Sequence, residues 1–363
     1  MNLTIKTTEL QDMVSKASKC VSNNKLIPIT SLMNIKVCNH KLTLTTTDAI
    51  NYFYVSKLEL VDCEDFEISV LADLFIKLVQ KTTSDNITLE VIDGALKVKG
   101  NGTYTMELPL DENGGIIKFP NKFPESSESK GIIKLTAVKS IVNYNKASLA
   151  LNMEVPSLTC YYCGDSVVTS DRYKICKTGI KMFNEPRLIT SNLMELLSIL
   201  SKEDIEVYSG DNCLIFETDL ESIYSPITDG IETFPIQAIE GLVEQEFTSS
   251  CKISKSAILN VLDRLSLFVS PYDKKGIYLT FTKDGLILSS KKSSGSELIP
   301  FISSTEFKDY TCCIDIEMLK TQISTQDTDE LNLYYGSDIA IKLVDKNVTQ
   351  IIALVEDDRV KEV

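Results

Sequence analysis

Tryptophan is absent from the 363 residues, and histidine occurs once, at position 40. One histidine excludes a multi-histidine metal site and leaves only His40 on which a Ser/His/Asp or Cys/His nucleophile system could be built. No G-x-S-x-G accompanies it, and neither G-x-x-x-x-G-K-[ST] nor G-x-G-x-x-G occurs, so the nucleophile elbow and the phosphate cradles that a sequence can display are missing. Carboxylates are plentiful, but no pair stands apart from a solvated acidic surface. No stretch approaches eighteen apolar residues, and `MNLTIKTTEL` lacks a basic region followed by an apolar run. The expectation is a cytoplasmic protein with no membrane partner, no metal, no cofactor and no catalytic residue.

Basic charge is also scarce: 37 Lys and Arg stand against 51 Asp and Glu, a formal charge of -14. That argues against a generic nucleic-acid binder, although the placement of the lysines matters more than their sum. Ten cysteines are scattered without framework spacing, which suits reduced, buried small hydrophobes. `CYYC` (Cys160 to Cys163) and the adjacent Cys312 and Cys313 read as strand residues pointing to opposite faces, hence structural. His40, in `VCNHKLTL`, reads as a solvated turn residue.

What the chain does contain is repetition. `NITLEVIDGALKVKGNGTYTMEL` (Asn86 to Leu108), `DIEVYSGDNCLIFETDLESIYSPI` (Asp204 to Ile227) and `ELNLYYGSDIAIKLVDKNVTQIIAL` (Glu330 to Leu354) each read as a three-stranded meander. A helical pattern with apolar residues at i, i+3, i+4 and i+7 precedes each, over Ala72–Thr82, Ser191–Ser201 and Asp315–Ser324, with Ser191 and Asp315 suited to cap. Three more helices, each after a short strand, are expected over Thr8–Val21, Thr136–Ala147 and Lys255–Phe268. The unit is about sixty residues, used twice per domain and three times per chain. `FPNKFPESSESKG` (Phe119 to Gly131) and `IEGLVEQEFTSS` (Ile239 to Ser250) read as linkers, giving domains at 1–124, 125–245 and 246–363. The fold class is α+β.

One smaller echo stands out. `LTLTTTDAINYF` (Leu42 to Phe53) and `VVTSDRYKIC` (Val167 to Cys176) are both strands that run into a Thr/Ser-Asp step.

Ile27-Pro28-Ile29, Thr46-Thr47-Asp48, Ser170-Asp171-Arg172-Tyr173-Lys174-Ile175, `SPITDG` from Ser225 with Phe234-Pro235 after it, and `YDKKGIYLTFTKDGLILSS` (Tyr272 to Ser290) resemble motifs of the bacterial DNA polymerase III β subunit, the sliding clamp. The resemblance spans essentially the whole chain. It implies a ring with helices inside and antiparallel sheets outside, formed by a head-to-tail homodimer around double-stranded DNA. It also implies that DNA polymerase, the clamp loader and other clamp-binding proteins insert a peptide between domains 2 and 3. Carried across, the peptide pocket falls on Val155 of the preceding strand, on Ser170, Arg172, Tyr173, Lys174 and Ile175, and on Pro235 and Ile239. Met318 of the last helix and Ala353 and Val355 of the final strand complete it. DNA contacts are implied for the helix lysines Lys16, Lys19, Lys77, Lys81, Lys139 and Lys146 and the loop lysines Lys25, Lys274 and Lys275. The subunit joint falls on Tyr104, Met106, Leu267 and Phe268. The setting implied is a bacterial cytoplasm, or an infected host cell for a phage-borne version.

Charge and geometry bear on this separately. The six helical stretches carry nine Lys or Arg against seven acids, a net of +2, so the remainder of the chain carries -16. A basic inner wall and an acidic outer wall would suit a ring on DNA. Six helices at about 8–10 Å spacing close too small a circle for a duplex, whereas twelve leave a bore of about 20–28 Å. Departures from the family are the acidic `ALVEDDRVKEV` end in place of Met-Pro-Met-Arg, Pro226 in place of Arg, and Ser191-Asn192 in place of basic residues. The alternative from another class is a cytosolic repeat-domain scaffold that binds proteins but not DNA.

Overall fold

The structure, a computed structural model, is described for all residues except 58–59, 61–62, 111–113, 116, 118, 121–127, 153, 270–274, 293, 306–307 and 358–363. Among the described residues the α-helices are α1 (Thr7–Ala17), α2 (Ala72–Lys81), α3 (Leu135–Asn145), α4 (Ser191–Ser198), α5 (Ile236–Glu244), α6 (Lys255–Leu265) and α7 (Ile316–Ser324). Six occupy the expected segments. In α1 the buried side chains are Thr7, Leu10, Met13, Val14 and Ala17, the stripe that 3.6-residue spacing produces. The Asp315 carboxylate caps α7 by accepting from the Glu317 and Met318 amides, and Ser254 caps α6 by accepting from Ala257. The ends of the long first helices differ from expectation: α1, α3 and α6 each give way to a 3-10 turn, at Ser18–Cys20, Lys146–Ser148 and Ser266–Phe268.

The chain divides by compactness into two units, residues 1–138 with 192–227, and residues 139–191 with 228–363. All strand pairings among the described residues are antiparallel, and the sheets explain this division. In the first unit one sheet has four strands, Asn2–Lys6, Asn86–Ile92, Ala95–Lys99 and Thr103–Glu107 in spatial order. The other has eight: Phe66–Leu71, Leu32–Cys38, Lys41–Thr47, Tyr52–Lys57, Glu221–Pro226, Cys213–Glu217, Asp204–Gly210 and Glu128–Lys134. Its middle pairing joins different repeats, with Phe53 opposite Ile223 and Val55 opposite Glu221.

The second unit repeats the device. A nine-stranded sheet runs Arg187–Thr190, Cys160–Cys163, Val167–Ser170, Lys174–Thr178, Val348–Ala353, Ala340–Asp345, Glu330–Tyr335, Ser249–Ser254 and Ser303–Thr305. Here Ile175 lies opposite Ile351, again a strand from one repeat against the last strand of the next meander. A four-stranded sheet, Ser296–Ile299, Gly285–Ser290, Gly276–Thr282 and Tyr310–Asp315, covers the other side of a core built on Ile258, Leu262, Phe281, Leu288, Leu319 and Leu333.

One expectation is overturned. The segment from Ile239, read as a linker, begins inside α5, which buries Ile239 and is entered from Pro235 at its N-cap. Proline fixes φ near the helical value and lacks the N–H that a first turn leaves unused, so it opens a helix as readily as it ends one.

Candidate functional site

The two Thr/Ser-Asp echoes fold into the same turn. In the first, Asp48 Oδ1 accepts from the Ile50 and Asn51 amides at 2.9 and 2.7 Å, and Thr47 Oγ1 accepts from Ala49 at 3.1 Å. In the second, Asp171 Oδ1 accepts from the Tyr173 and Lys174 amides at 3.0 and 2.7 Å, and Ser170 Oγ accepts from Arg172 at 3.1 Å. Ala49 and Arg172 both adopt positive φ, 82° and 79°. Upstream, Thr46 and Thr169 donate their hydroxyls to the carbonyls that end α1 and α3, Ala17 and Asn145. Short carboxylates satisfy the amides of a tight reversal, so the aspartates serve the turn itself.

At the turn tips Ile50 is 50% exposed and Tyr173 60%. The Arg172 guanidinium pairs with Glu154 at 3.0 Å, and the Lys174 ammonium donates to Ala147 O and pairs with Asp171 at 3.2 Å. Both cations are therefore engaged, and Tyr173 is the large apolar side chain the second turn offers to solvent.

Below that turn lies an apolar cluster. Ile175 and Ile239 are buried in it with Leu158, Phe234 and Ile351, and Val155 packs at its margin with Ile236 and Leu242. Tyr162 stacks on Phe234 at 5.0 Å between ring centroids. Pro235 is exposed at the start of α5, and Ala353 N donates to Tyr173 O at 2.8 Å. Seven of the eleven expected pocket residues thus gather at the turn or lie buried in the cluster or at its margin: Val155, Ser170, Arg172, Tyr173, Lys174, Ile175 and Ile239. Pro235 and Ala353 adjoin.

Three placements differ from expectation. Val155 lies on no strand; it precedes the 3-10 turn Pro156–Thr159, because the proline redirects the chain there. Met318 packs against the other core, beside Leu319, since its position on α7 faces that sheet. Val355 lies beyond the final strand, where its amide donates to Cys313 O at 2.8 Å. Of the residues missed, Phe234 stands next to the expected Pro235, and Leu158 carried a signal of its own: `VPSLT` repeats the `IPITS` turn, and Ala150 N bonds Leu158 O as Ser22 N bonds Thr30 O.

The lysines sort by partner. Lys16 is not available as a surface cation: it is 21% exposed and pairs with Asp12 at 2.9 Å and with the buried Glu221 at 3.1 Å. Burial alone would raise the Glu221 carboxyl, but the Ser201 hydroxyl and amide and the Lys16 ammonium together hold it below the ordinary value. Lys77 pairs with Asp73 one turn away. Lys19, Lys25, Lys81, Lys139 and Lys275 are exposed and have no ion pair among the described residues, Lys146 is exposed, and Lys274 lies outside the described residues. Of the expected joint residues Tyr104, Leu267 and Phe268 are 49%, 80% and 53% exposed, whereas Met106 is 4% exposed and packs inside its own unit. Met106 therefore supports the edge strand and presents no surface.

His40 sits in a turn at positive φ, its Nδ1 3.1 Å from Leu60 O. All ten cysteines are free and eight are buried. Burial pushes the Cys20, Cys176, Cys251 and Cys312 thiols up to about 12, which keeps them unreactive.

Residues 1–113 match the family described as DNA polymerase III beta subunit, N-terminal domain. No curated protein matches the sequence. Among solved structures, the beta subunit from DNA polymerase of Streptococcus pyogenes superposes with a TM-score of 0.86 at 17% identity, covering 98% of this chain and 100% of that one. That family match covers the first 113 residues, and the chain as a whole has the sliding-clamp fold. The DNA polymerase sliding clamp of Bacillus subtilis gives a TM-score of 0.84 at 16% identity, over 98% of this chain and 99% of that one. A putative DNA polymerase III beta subunit from Eubacterium rectale gives 0.82 at 20% identity, over 99% and 100%. No helix among the described residues is long and apolar enough to cross a membrane.

Proposed function

We propose that this chain is a DNA sliding clamp, a non-catalytic processivity factor for replication. Two copies join head to tail around duplex DNA, and polymerase, clamp loader and other partners dock short peptides on the cluster beneath Tyr173. Three domains, near 1–124, 125–245 and 246–363, provide the repeated inner helices.

The observation that carries the reading is end-to-end correspondence with clamp structures. Local chemistry agrees with it. Exposed lysines without ion pairs among the described residues, Lys19, Lys25, Lys81, Lys139 and Lys275, suit sequence-independent contact with phosphates, weak and salt-sensitive because few counterions are released. Tyr104 and the Leu267–Phe268 turn leave large apolar side chains in solvent, which suits burial against a second copy. The apolar cluster with an exposed tyrosine at its lip suits a peptide anchor. The working compartment is the cytoplasm.

The test is primer extension on a long single-primed template with bacterial polymerases and a clamp loader. Products should lengthen when the protein is present, and Tyr173→Ala should abolish the gain without changing the melting temperature. An unimpaired Tyr173→Ala would remove the docking site.

A further inference from the structure

Where the chain leaves the cluster past Ala353 it enters an open groove of about 890 Å³ within the same unit. Its floor is aromatic. Phe281 stacks on buried Tyr335 at 3.8 Å between centroids, Tyr310 packs at about 6 Å from both, and the Tyr310 hydroxyl is anchored on Ser337 O at 2.6 Å. Leu354 and Val355 form one wall. The strand beneath, Tyr310–Asp315, is the edge of its four-stranded sheet, and the Val355 amide donates to Cys313 O on that edge.

The charged residues that line this groove have one sign. Four of the groove's residues are acidic and none is basic. Asp357 is already neutralised, by Lys291 at 2.8 Å with both side chains almost buried, and it accepts from the Tyr278 hydroxyl. Asp309, Asp338 and Glu356 are exposed and make no ion pair among the described residues. Three exposed carboxylates beside an apolar floor repel phosphates and acidic segments and attract cations, and the concave wall concentrates that field. A strand at a sheet edge can add main-chain hydrogen bonds to an extended segment.

We propose that this groove takes the basic part of a partner peptide, with lysine or arginine held by Asp309, Asp338 and Glu356 and an apolar side chain on the Phe281–Tyr310 floor. The inference rests on the reading that the chain docks peptides at the neighbouring cluster, and it adds the partner's charge. A wall carrying Glu356 and Asp357 fixes that charge as part of the fold.

The experiment compares two labelled peptides by fluorescence anisotropy on the full chain. Both have the same leucine and phenylalanine core, and they differ only in carrying lysines or glutamates on either side of it. The lysine peptide should bind more tightly, with the preference shrinking as salt rises. The triple variant Asp309→Asn, Asp338→Asn, Glu356→Gln should weaken the lysine peptide about 10-fold and leave the melting temperature unchanged, since each exposed pair is worth about 1.4- to 5-fold. Equal affinities for the two peptides, unaltered in the triple variant, would overturn the basic-peptide assignment while leaving peptide docking in place. Failure of both peptides to bind, at any salt, would defeat the docking reading and the inference with it. Tyr173→Ala separates the two layers further, since it should weaken both peptides equally and preserve their ratio.

Discussion

Replacing Asp171 with alanine tests the turn and the site together, because the chain supplies its own control at Asp48. Each carboxylate accepts two backbone amides at 2.7–3.0 Å, and Asp171 adds an ion pair with Lys174 at 3.2 Å. A hydrogen bond to a charged group contributes about 1.5–3 kcal/mol, and the low end applies where water can replace the acceptor, as at these surface turns. Asp171→Ala and Asp48→Ala should therefore each cost about 2–3 kcal/mol in urea unfolding monitored by circular dichroism. Peptide binding should separate them: Asp171→Ala frees Tyr173 from its fixed place and weakens binding, whereas Asp48→Ala leaves it intact. Equal losses of peptide binding would show that the second turn has no role beyond folding. A cost below about 0.5 kcal/mol for either variant would refute the capping argument itself.

Other outcomes can be checked alongside. Lys16→Met strands Glu221, whose side chain is 1% exposed, and should destabilise the protein by about 2–4 kcal/mol, less than a fully buried pair because Lys16 keeps 21% exposure. The folded carboxyl of Glu221 is depressed, so its contribution is complete above the ordinary carboxylate value and disappears as pH falls through the lower folded value; in Lys16→Met the acid limb of the stability profile should flatten. Gly276→Ala would place a Cβ against the Lys291 side chain and the Cys313 sulfur, displacing the ammonium from Asp357. Hydrogen exchange should then quicken across residues 354–357, and unchanged protection would show that the Lys291 pair does not hold that wall. Charge reversal at Lys19, Lys25 and Lys81 should weaken DNA retention most at low salt, with little change at high salt.

Much of this architecture can be read in the sequence because its signals are local. The stripe Leu10, Met13, Val14 and Ala17 and the Asp315 cap announce helices without help from distant residues. The meanders announce themselves by alternation and by turns such as Asp93-Gly94, both at positive φ. The pairing of Tyr52–Lys57 with Glu221–Pro226, and of Lys174–Thr178 with Val348–Ala353, has no such signal, since long-range register depends on which face of each strand is buried. Compact units that cut across the repeats follow from those pairings. α5 is hidden because Gly241 and the acids near its end read as a linker, although Ile236 and Ile239 are spaced for one face. At the site, the turn at Ser170–Lys174 is legible through its twin. The departure of Met318 into the neighbouring core depends on the helix's rotation against the sheet, which spacing alone leaves open.

The central claim is topological, and one measurement addresses it directly. The protein is loaded by a bacterial clamp loader onto nicked circular plasmid, the sample is divided, one half is linearised, and both are passed over a gel-filtration column at elevated salt. A clamp stays with the circle and runs off the linear ends. Equal retention on both forms, or equal loss from both, would contradict the account.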